Sequence, residues 1–444
     1  MSGGSGLAIR PLLEEGKDQE LSELLKSLHP ADIADALEPL GMDDIVKVVS
    51  LLDNQTGADV LVELNSQARD VVAQGLPVER LTGMVQEMES DDAADLVGDL
   101  SSDTASEVLS NIGSEDSEEV RRLLMYDGET AGGLMQLELV SVLETDTVEE
   151  AVGRIRRMAE EVGDIGHVFV VDSLGALRGE VSLKDILLAG PSDTMAKLIT
   201  KPPGLVLQAD EDQEIVAQKF QKYDVKVAPV VDHQNRLLGR VTVDDIIDVV
   251  HEEADKDFYR LAGSSEEELY VKSPLRTAGL RVPWLLFNLG GGIITSLILR
   301  AFQASLEKTM VLVAFVPMVM SISGAVGSQS ATITVRGLAT GRLAGGNILR
   351  NLGKEQKITS IIAISFGVVI ALISGSLNRA LHIGLAVGLS MAAAILVSAF
   401  LGAVTPVFFK TVDIDPAMAS GPVVTSINDV VSLLIYTAVG TALA

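Results

Sequence analysis

Ser426-Ile427-Asn428-Asp429-Val430-Val431-Ser432-Leu433-Leu434 sits inside an apolar run from about 417 to 442, and its reading decides what the C-terminal part of the chain can be. A run of that length exceeds the ~20 residues that cross a bilayer as a helix. Four comparable runs precede it, at about 283–303, 309–334, 357–378 and 383–408, so residues 276–444 are expected to form an α-helical membrane domain of five spans. Asp429 is the one carboxylate within these runs. Ionised in hydrocarbon it costs about 2.5 kcal/mol or more, so it must face a protein interior or a wet path. Two readings stand: an ion ligand, or a salt bridge to a basic residue of another helix, for which Arg336 is the nearest candidate. Thr425 and Gly421 precede Asp429 by four and eight residues and fall on its helical face, where Pro422 releases a backbone carbonyl.

The second span holds Pro317 and then Ser321-Ile322-Ser323-Gly324-Ala325-Val326-Gly327-Ser328-Gln329-Ser330. Small residues permit close helix approach. A proline with paired glycines also predicts a break that turns carbonyls toward a cavity. Oxygen ligands of this kind suit a hard cation, and Mg²⁺ keeps several waters while taking only one or two carboxylates.

Charge divides the chain. Residues from Arg276 onward hold 11 Lys and Arg against 5 Asp and Glu, which leaves 23 against 57 in the part before them. So acidic a segment repels phosphates and excludes nucleic acid as a partner, and it can act as a cation sink. No cysteine is present, which removes disulfides, thiolate metal sites and cysteine catalysis. Met1 to Gly6 lacks an apolar signal core, so the acidic part is expected in the cytoplasm. Basic residues agree: Arg276 and Arg281 precede the first span, Arg336, Arg342, Arg350, Lys354 and Lys357 crowd the loop after the second, and Lys410 follows the fourth. The positive-inside rule then places the N-terminus in the cytoplasm and the C-terminus outside a cell (inner) membrane that the chain crosses several times.

Between about residues 20 and 125, short helical units open at His29-Pro30, Gly41, Glu89-Ser90 and Ser101-Ser102, and Asp32-Ile33-Ala34-Asp35 is echoed by Asp92-Ala93-Ala94-Asp95. Stacked short helices with apolar inner faces make an all-α helical solenoid. A second repeat follows. Val170-Val171-Asp172, Gly179 and Val181-Ser182-Leu183-Lys184-Asp185 return as Val230-Val231-Asp232, Gly239 and Val241-Thr242-Val243-Asp244-Asp245. Strand, turn, strand and Ser- or Thr-opened helix resemble a tandem α/β pair of cystathionine-β-synthase-type (CBS) modules. That resemblance implies an adenine nucleotide such as ATP as a regulatory ligand, held near Lys184 and Asp185 or at Asp245. The alternative is that both Asp residues cap helices.

The order of acidic helices, CBS pair, charged linking helix and five spans resembles the MgtE-type magnesium transporter family over nearly the whole chain. Asp127-Gly128-Glu129-Thr130-Ala131-Gly132-Gly133-Leu134-Met135, Gln329-Ser330-Ala331-Thr332, and Asp415-Pro416-Ala417 with Asn428-Asp429-Val430 carry the match. The resemblance implies a homodimer in membrane lipid, divided into an N domain (1–130), CBS modules (131–253), a linking or plug helix (254–275) and a pore domain (276–444). It implies a Mg²⁺-selective channel with Asp429 as pore ligand, assisted by oxygens near Thr425 and Ser321. It further implies regulatory Mg²⁺ sites at Asp59, Asp91, Asp95, Asp212, Glu214, Asp224, Asp245, Asp248, Glu253 and Asp257, each of which is otherwise an exposed acid on a solvated face. Three positions depart from the family pattern. Ala325 and Gly421 stand where Asn is usual, which bears on ion selectivity and admits other divalent cations, and Lys256 replaces an acid of the linking helix.

Rival readings are a Na⁺- or H⁺-coupled divalent-cation transporter and a membrane-anchored nucleotide sensor. An enzyme is not expected, since there is no HExxH, no intramembrane Asp dyad and no Ser/His pairing in the spans.

Overall fold

A computed structural model describes residues 6–159, 162, 165–199, 203–265, 268, 273–340, 342–343, 347–412, 414–419 and 421–443; the Gly/Ser-rich start up to Ser5 lies outside them. Two compact units emerge, Met1–Val250 and His251–Ala444.

Ten short helices open the first unit: α1 (Gly6–Glu14), α2 (Asp18–Leu25), α3 (Pro30–Leu37), α4 (Met42–Leu51), α5 (Asn54–Glu63), α6 (Ser66–Gly75), α7 (Val78–Val85), α8 (Ser90–Asp99), α9 (Ser102–Asn111) and α10 (Ser114–Leu123). Several starts are written locally: Pro30 opens α3, and the Asp53, Asn65 and Ser101 side chains accept from backbone N–H groups two or three residues into their helices. Each helix is too short to stand alone. Stability comes from stacking across one intervening helix, α3 on α5, α5 on α7, α7 on α9 and α8 on α10, which seals Ile33, Leu37, Val60, Leu61, Leu81 and Met84 in one core. The predicted solenoid is present.

Two three-stranded sheets follow. In the first, β1 (Ser141–Leu143) lies parallel to β2 (His167–Val171), which pairs antiparallel with β3 (Leu177–Ser182); in the second, β4 (Leu207–Gln208), β5 (Val227–Val231) and β6 (Leu237–Thr242) repeat the pattern. Even the irregularity recurs, a bulge at Val170/Val171 and at Val230/Val231. The matching glycines have a steric reason: a Cβ on Gly179 would come within 2.6 Å of Ile199, and one on Gly239 within 2.7 Å of the Gln136 carbonyl. Helices α11 (Val148–Met158), α12 (Leu183–Leu188), α13 (Met195–Leu198), α14 (Gln213–Tyr223) and α15 (Val243–Ala262) complete the pair. The division into units falls within α15.

The second unit holds five helices long and apolar enough to cross a membrane: α16 (Pro274–Ala301), α18 (Met310–Ala339), α19 (Asn347–Asn378), α20 (Leu381–Thr411) and α21 (Pro422–Leu443), with α17 (Gln303–Lys308) a short link. Helix α20 is central, packed on α18, α19 and α21, whereas α16 presents Leu285, Leu289, Ile293 and Leu297 outward.

The span readings need three corrections. Helix α18 runs unbroken through Pro317, Gly324 and Gly327, so the expected break is not there. Gly327 serves packing instead, with the Gly402 backbone and the Asn428 and Ser398 side chains against it. The last helix begins at Pro422, at the first-turn position where a missing N–H costs nothing, and 416–419 form a separate 3₁₀ turn. Gly421 therefore precedes the helix and does not share a helical face with Asp429. Finally, α19 starts ten residues before the expected third span, which brings Glu355 into a spanning helix.

Candidate functional site

Helix α21 is pinned at two levels. Ser426 donates to Asn288 Oδ1 of α16 at 2.7 Å, and the Tyr436 hydroxyl donates to the Leu312 carbonyl of α18 at 2.9 Å. These bonds fix the rotation of the helix and hence the direction of Asp429, whose carboxylate lies 3.8 Å from where a Cβ on Gly324 would stand. Asp429 is half-buried and, among the described residues, makes no ion pair. The salt bridge to Arg336 is absent. Thr425, one turn earlier, donates to the Gly421 carbonyl at 3.2 Å and is half-buried. Ser321 is exposed on α18, and Ala325, Gln329, Thr332 and Arg336 continue the same exposed stripe. A polar stripe on a spanning helix is costly against lipid and calls for a water-filled path or a second protein surface. Beside Asp429, Asn428 is 1% exposed and its amide finds no hydrogen-bond partner among the described residues. The carboxylate missed in the sequence, Glu355, accepts from the buried Ser330 hydroxyl at 2.8 Å and ties α19 to α18.

In the first unit, Asp91, Asp92, Asp245 and Glu89 crowd together. Ser90 at the start of α8 donates to Glu138, and Gln136 donates to Glu89, so the entry to the first CBS module locks α8 in place. Asp91 is buried, and burial followed by the charges of Asp92 and Asp245 pushes its carboxyl well above the usual range. Burial and then Asp245 raise Asp92 to about 7. Burial raises Asp245 to about 6 against the hydroxyl bond from Thr242. Asp95 adds to the charge felt by Asp92. Neighbours so arranged favour whatever neutralises them, a proton or a cation.

Other predicted positions are scattered. Asp59 is exposed and accepts from Gln55 at 3.2 Å. Asp212 caps the start of α14, accepting from the Glu214 N–H at 2.9 Å, whereas Asp224 ends that 11-residue helix in the left-handed conformation. The helix separates the two by about 18 Å. Asp248 follows Asp245 along α15, and Glu253 and Asp257 lie further on in the second unit. Among the described residues no three Asp, Glu or His side chains stand close enough to cage a metal ion. Lys184 and Asp185 open α12, where Ser182 donates to Asp185 at 2.7 Å and accepts its N–H at 3.1 Å. Thr242 and Asp245 repeat the hydroxyl-to-carboxylate bond at 2.6 Å, so both Asp residues do engage the cap residue, as the simpler reading required.

Comparison with known proteins places these parts. A family described as a divalent cation transporter matches residues 316–439, an MgtE intracellular N domain matches 28–129, and CBS domains match 131–192 and 196–252. The magnesium transporter MgtE of Bacillus subtilis is 32% identical over 438 residues, covering 98% of this chain and 96% of the relative. That of Thermus thermophilus is 32% identical over 440 residues, covering 98% and 97%. Among solved structures, the cytosolic domain of the Mg²⁺ channel MgtE in complex with ATP aligns with a TM-score of 0.52 and 34% identity, over 55% of this chain and 99% of that one.

Proposed function

The chain belongs to the MgtE family of magnesium transporters, and from that membership we propose that it moves Mg²⁺ across a membrane as a homodimer, with Asp429 as the carboxylate of the ion path. The observation that carries the reading is a half-buried Asp429, without an ion pair among the described residues, in a spanning helix, beside the helix that bears the exposed polar stripe. Thr425 and Ser321 supply neutral oxygens on the two helices, in keeping with a cation that keeps most of its waters. Two copies joined along that stripe would cover it and bring two Asp429 side chains to one axis.

The acidic residues Asp91, Asp95, Asp245 and Asp248 are the regulatory part of the same reading. Mg²⁺ there relieves carboxylate repulsion and favours the form in which α15 closes the path. Asp59, Asp212, Glu214, Asp224, Glu253 and Asp257 join it only if a partner chain or a conformational change supplies further ligands. ATP binding at Lys184 and Asp185 is supported by the relative crystallised with that nucleotide. The four domains keep the boundaries given above, and the basic loops orient the N-terminus inward.

The test is flux from protein-loaded liposomes with Mg²⁺, Ca²⁺, Mn²⁺ and Co²⁺ compared, with and without a Na⁺ or H⁺ gradient. Mg²⁺ flux down its own gradient, indifferent to Na⁺ and H⁺, is expected. Flux that requires either gradient would replace the channel with a coupled transporter.

A further inference from the structure

The last turns of α15 carry four acids, Glu252, Glu253, Asp255 and Asp257, and two bases, Lys256 and Arg260. Both bases are committed to carboxylates. Lys256 Nζ lies 2.8 Å from Glu252 and 3.1 Å from Glu253, and it is largely covered. Arg260 reaches much further in sequence and pairs with Asp415, in the turn that leads into α21. Asp415 is itself held in place, its other oxygen accepting the Ala417 N–H at 2.8 Å.

Backbone closes the same contact. Gly263 adopts the left-handed conformation at φ +71°, and a Cβ on it would lie 2.6 Å from the Pro422 ring. A Cβ on Gly421 would lie 2.8 Å from the Leu261 carbonyl and 3.3 Å from that of Arg260. Two segments therefore meet at a spacing that only paired glycines allow. The contact sits at the start of the helix that carries Asp429. Asp257 stands in the same cluster, its carboxyl raised by burial, by Asp415 and by Glu253, and lowered by Arg260 and Arg336.

We infer that Arg260 acts as a tethered cation, clamping the end of α15 to Asp415 and Gly421 at the mouth of the ion path without any metal. This rests on the proposed role of α15 as the closing element and adds a second, concentration-independent hold to it. A guanidinium on the chain cannot be chelated away, so withdrawal of cytoplasmic Mg²⁺ leaves this part of the closure in force. Gly421 is then shaped by the clamp: an Asn there would run into the Leu261 carbonyl.

The experiment uses the full chain in liposomes, with Mg²⁺ flux read in chelator and across a range of Mg²⁺ on the cytoplasmic face. Arg260→Gln and Asp415→Asn should each raise flux in chelator roughly 1.5-fold to fivefold and raise the half-closing Mg²⁺ concentration by a similar factor, the range expected for one partly exposed ion pair. The reciprocal pair, Arg260→Asp with Asp415→Arg, should return both values toward those of the parent. Gly421→Ala keeps both charges and should open the path by steric means alone. Parent-like flux in all these variants, or a reciprocal pair no closer to the parent than either single change, overturns the clamp. Asp429→Asn run alongside separates the two ideas: if it is inactive while Arg260→Gln matches the parent, only the clamp fails; if it conducts normally, the pore reading fails first.

Discussion

In the proposed function two groups of carboxylates serve opposite ends of one task, and they are built on opposite principles. Asp429 is solitary, in a helix whose neighbours are Val, Ser and Leu, with no cation beside it among the described residues. Asp91, Asp92, Asp245 and Glu89 are crowded, and burial first, then the charge of neighbouring carboxylates, raises their proton affinity. A lone carboxylate attracts a cation without trapping it, because the ion keeps its waters and one charge cannot hold it for long. A crowd of carboxylates binds as a unit and converts metal concentration into a change in folding free energy. The first arrangement suits passage and the second suits sensing.

The largest effect should come from removing the solitary charge. Asp429→Asn preserves shape, so the folded chain should extract from the membrane in normal yield while Mg²⁺ flux falls about a hundredfold or more, on the scale of ~2.7 kcal/mol lost at the ion site. Were Asp429 a structural partner instead, the same change would strand a buried cation at a cost of about 3 to 5 kcal/mol and the yield would collapse. A folded variant with normal flux breaks the comparison at its first term.

Thinning the crowd should act on sensing and spare passage. With Asp91, Asp95 and Asp248 all changed to Asn, protection of the first unit from protease by Mg²⁺ should weaken by roughly tenfold in concentration, and flux at high Mg²⁺ on the side of that unit should rise. Unaltered protection would mean that the metal is sensed elsewhere.

A smaller effect concerns pH. The folded chain holds Asp92 at about 7 and Asp245 at about 6, against 3.8 for an ordinary Asp. Groups raised in this way bind protons more tightly folded than unfolded, so their stabilisation is complete below about pH 4 and is lost as pH climbs through 6 to 7. In metal-free protein, the unfolding temperature of the first unit should therefore decline between about pH 5 and pH 8, and Mg²⁺ should flatten the decline. A flat metal-free profile would show that the crowd carries no strain.

Least affected should be the nucleotide. Asp185→Ala ought to weaken ATP binding to the full chain by about tenfold in calorimetry, the scale of one charged hydrogen bond. Absence of heat with the parent would leave Asp185 as a helix cap and nothing more.

How much of this could be read from the sequence depends on range. Five spans and the repeat at Val170 and Val230 are written in consecutive residues, so hydropathy and self-similarity reveal them. Asp429 was legible for a different reason, since a charge in an apolar run is conspicuous whatever it touches. The error at Pro317 and Gly324 arose because the residues that break helices also let helices pack, and only the neighbours, Asn428, Ser398 and Gly402, decide between the two. Glu355 escaped because α19 continues beyond its apolar run into a charged turn. The pairing of Arg260 with Asp415 joins positions 155 residues apart and leaves no local mark. Asp224 was grouped with Asp212 through the family resemblance, and α14 holds them at opposite ends.

Helix length has a consequence of its own. Four of the spanning helices run 28, 30, 32 and 31 residues, but α21 has only 22. At 1.5 Å per residue the four measure about 42 to 48 Å and α21 about 33 Å, against a hydrocarbon thickness near 30 Å. The long helices must tilt or protrude to fit, whereas α21 is long enough to span with little to spare. A change in acyl-chain length is therefore taken up as a change of tilt in α16, α18, α19 and α20. The lipid then reaches the carboxylate of the proposed ion path through the lean of the helices packed around it.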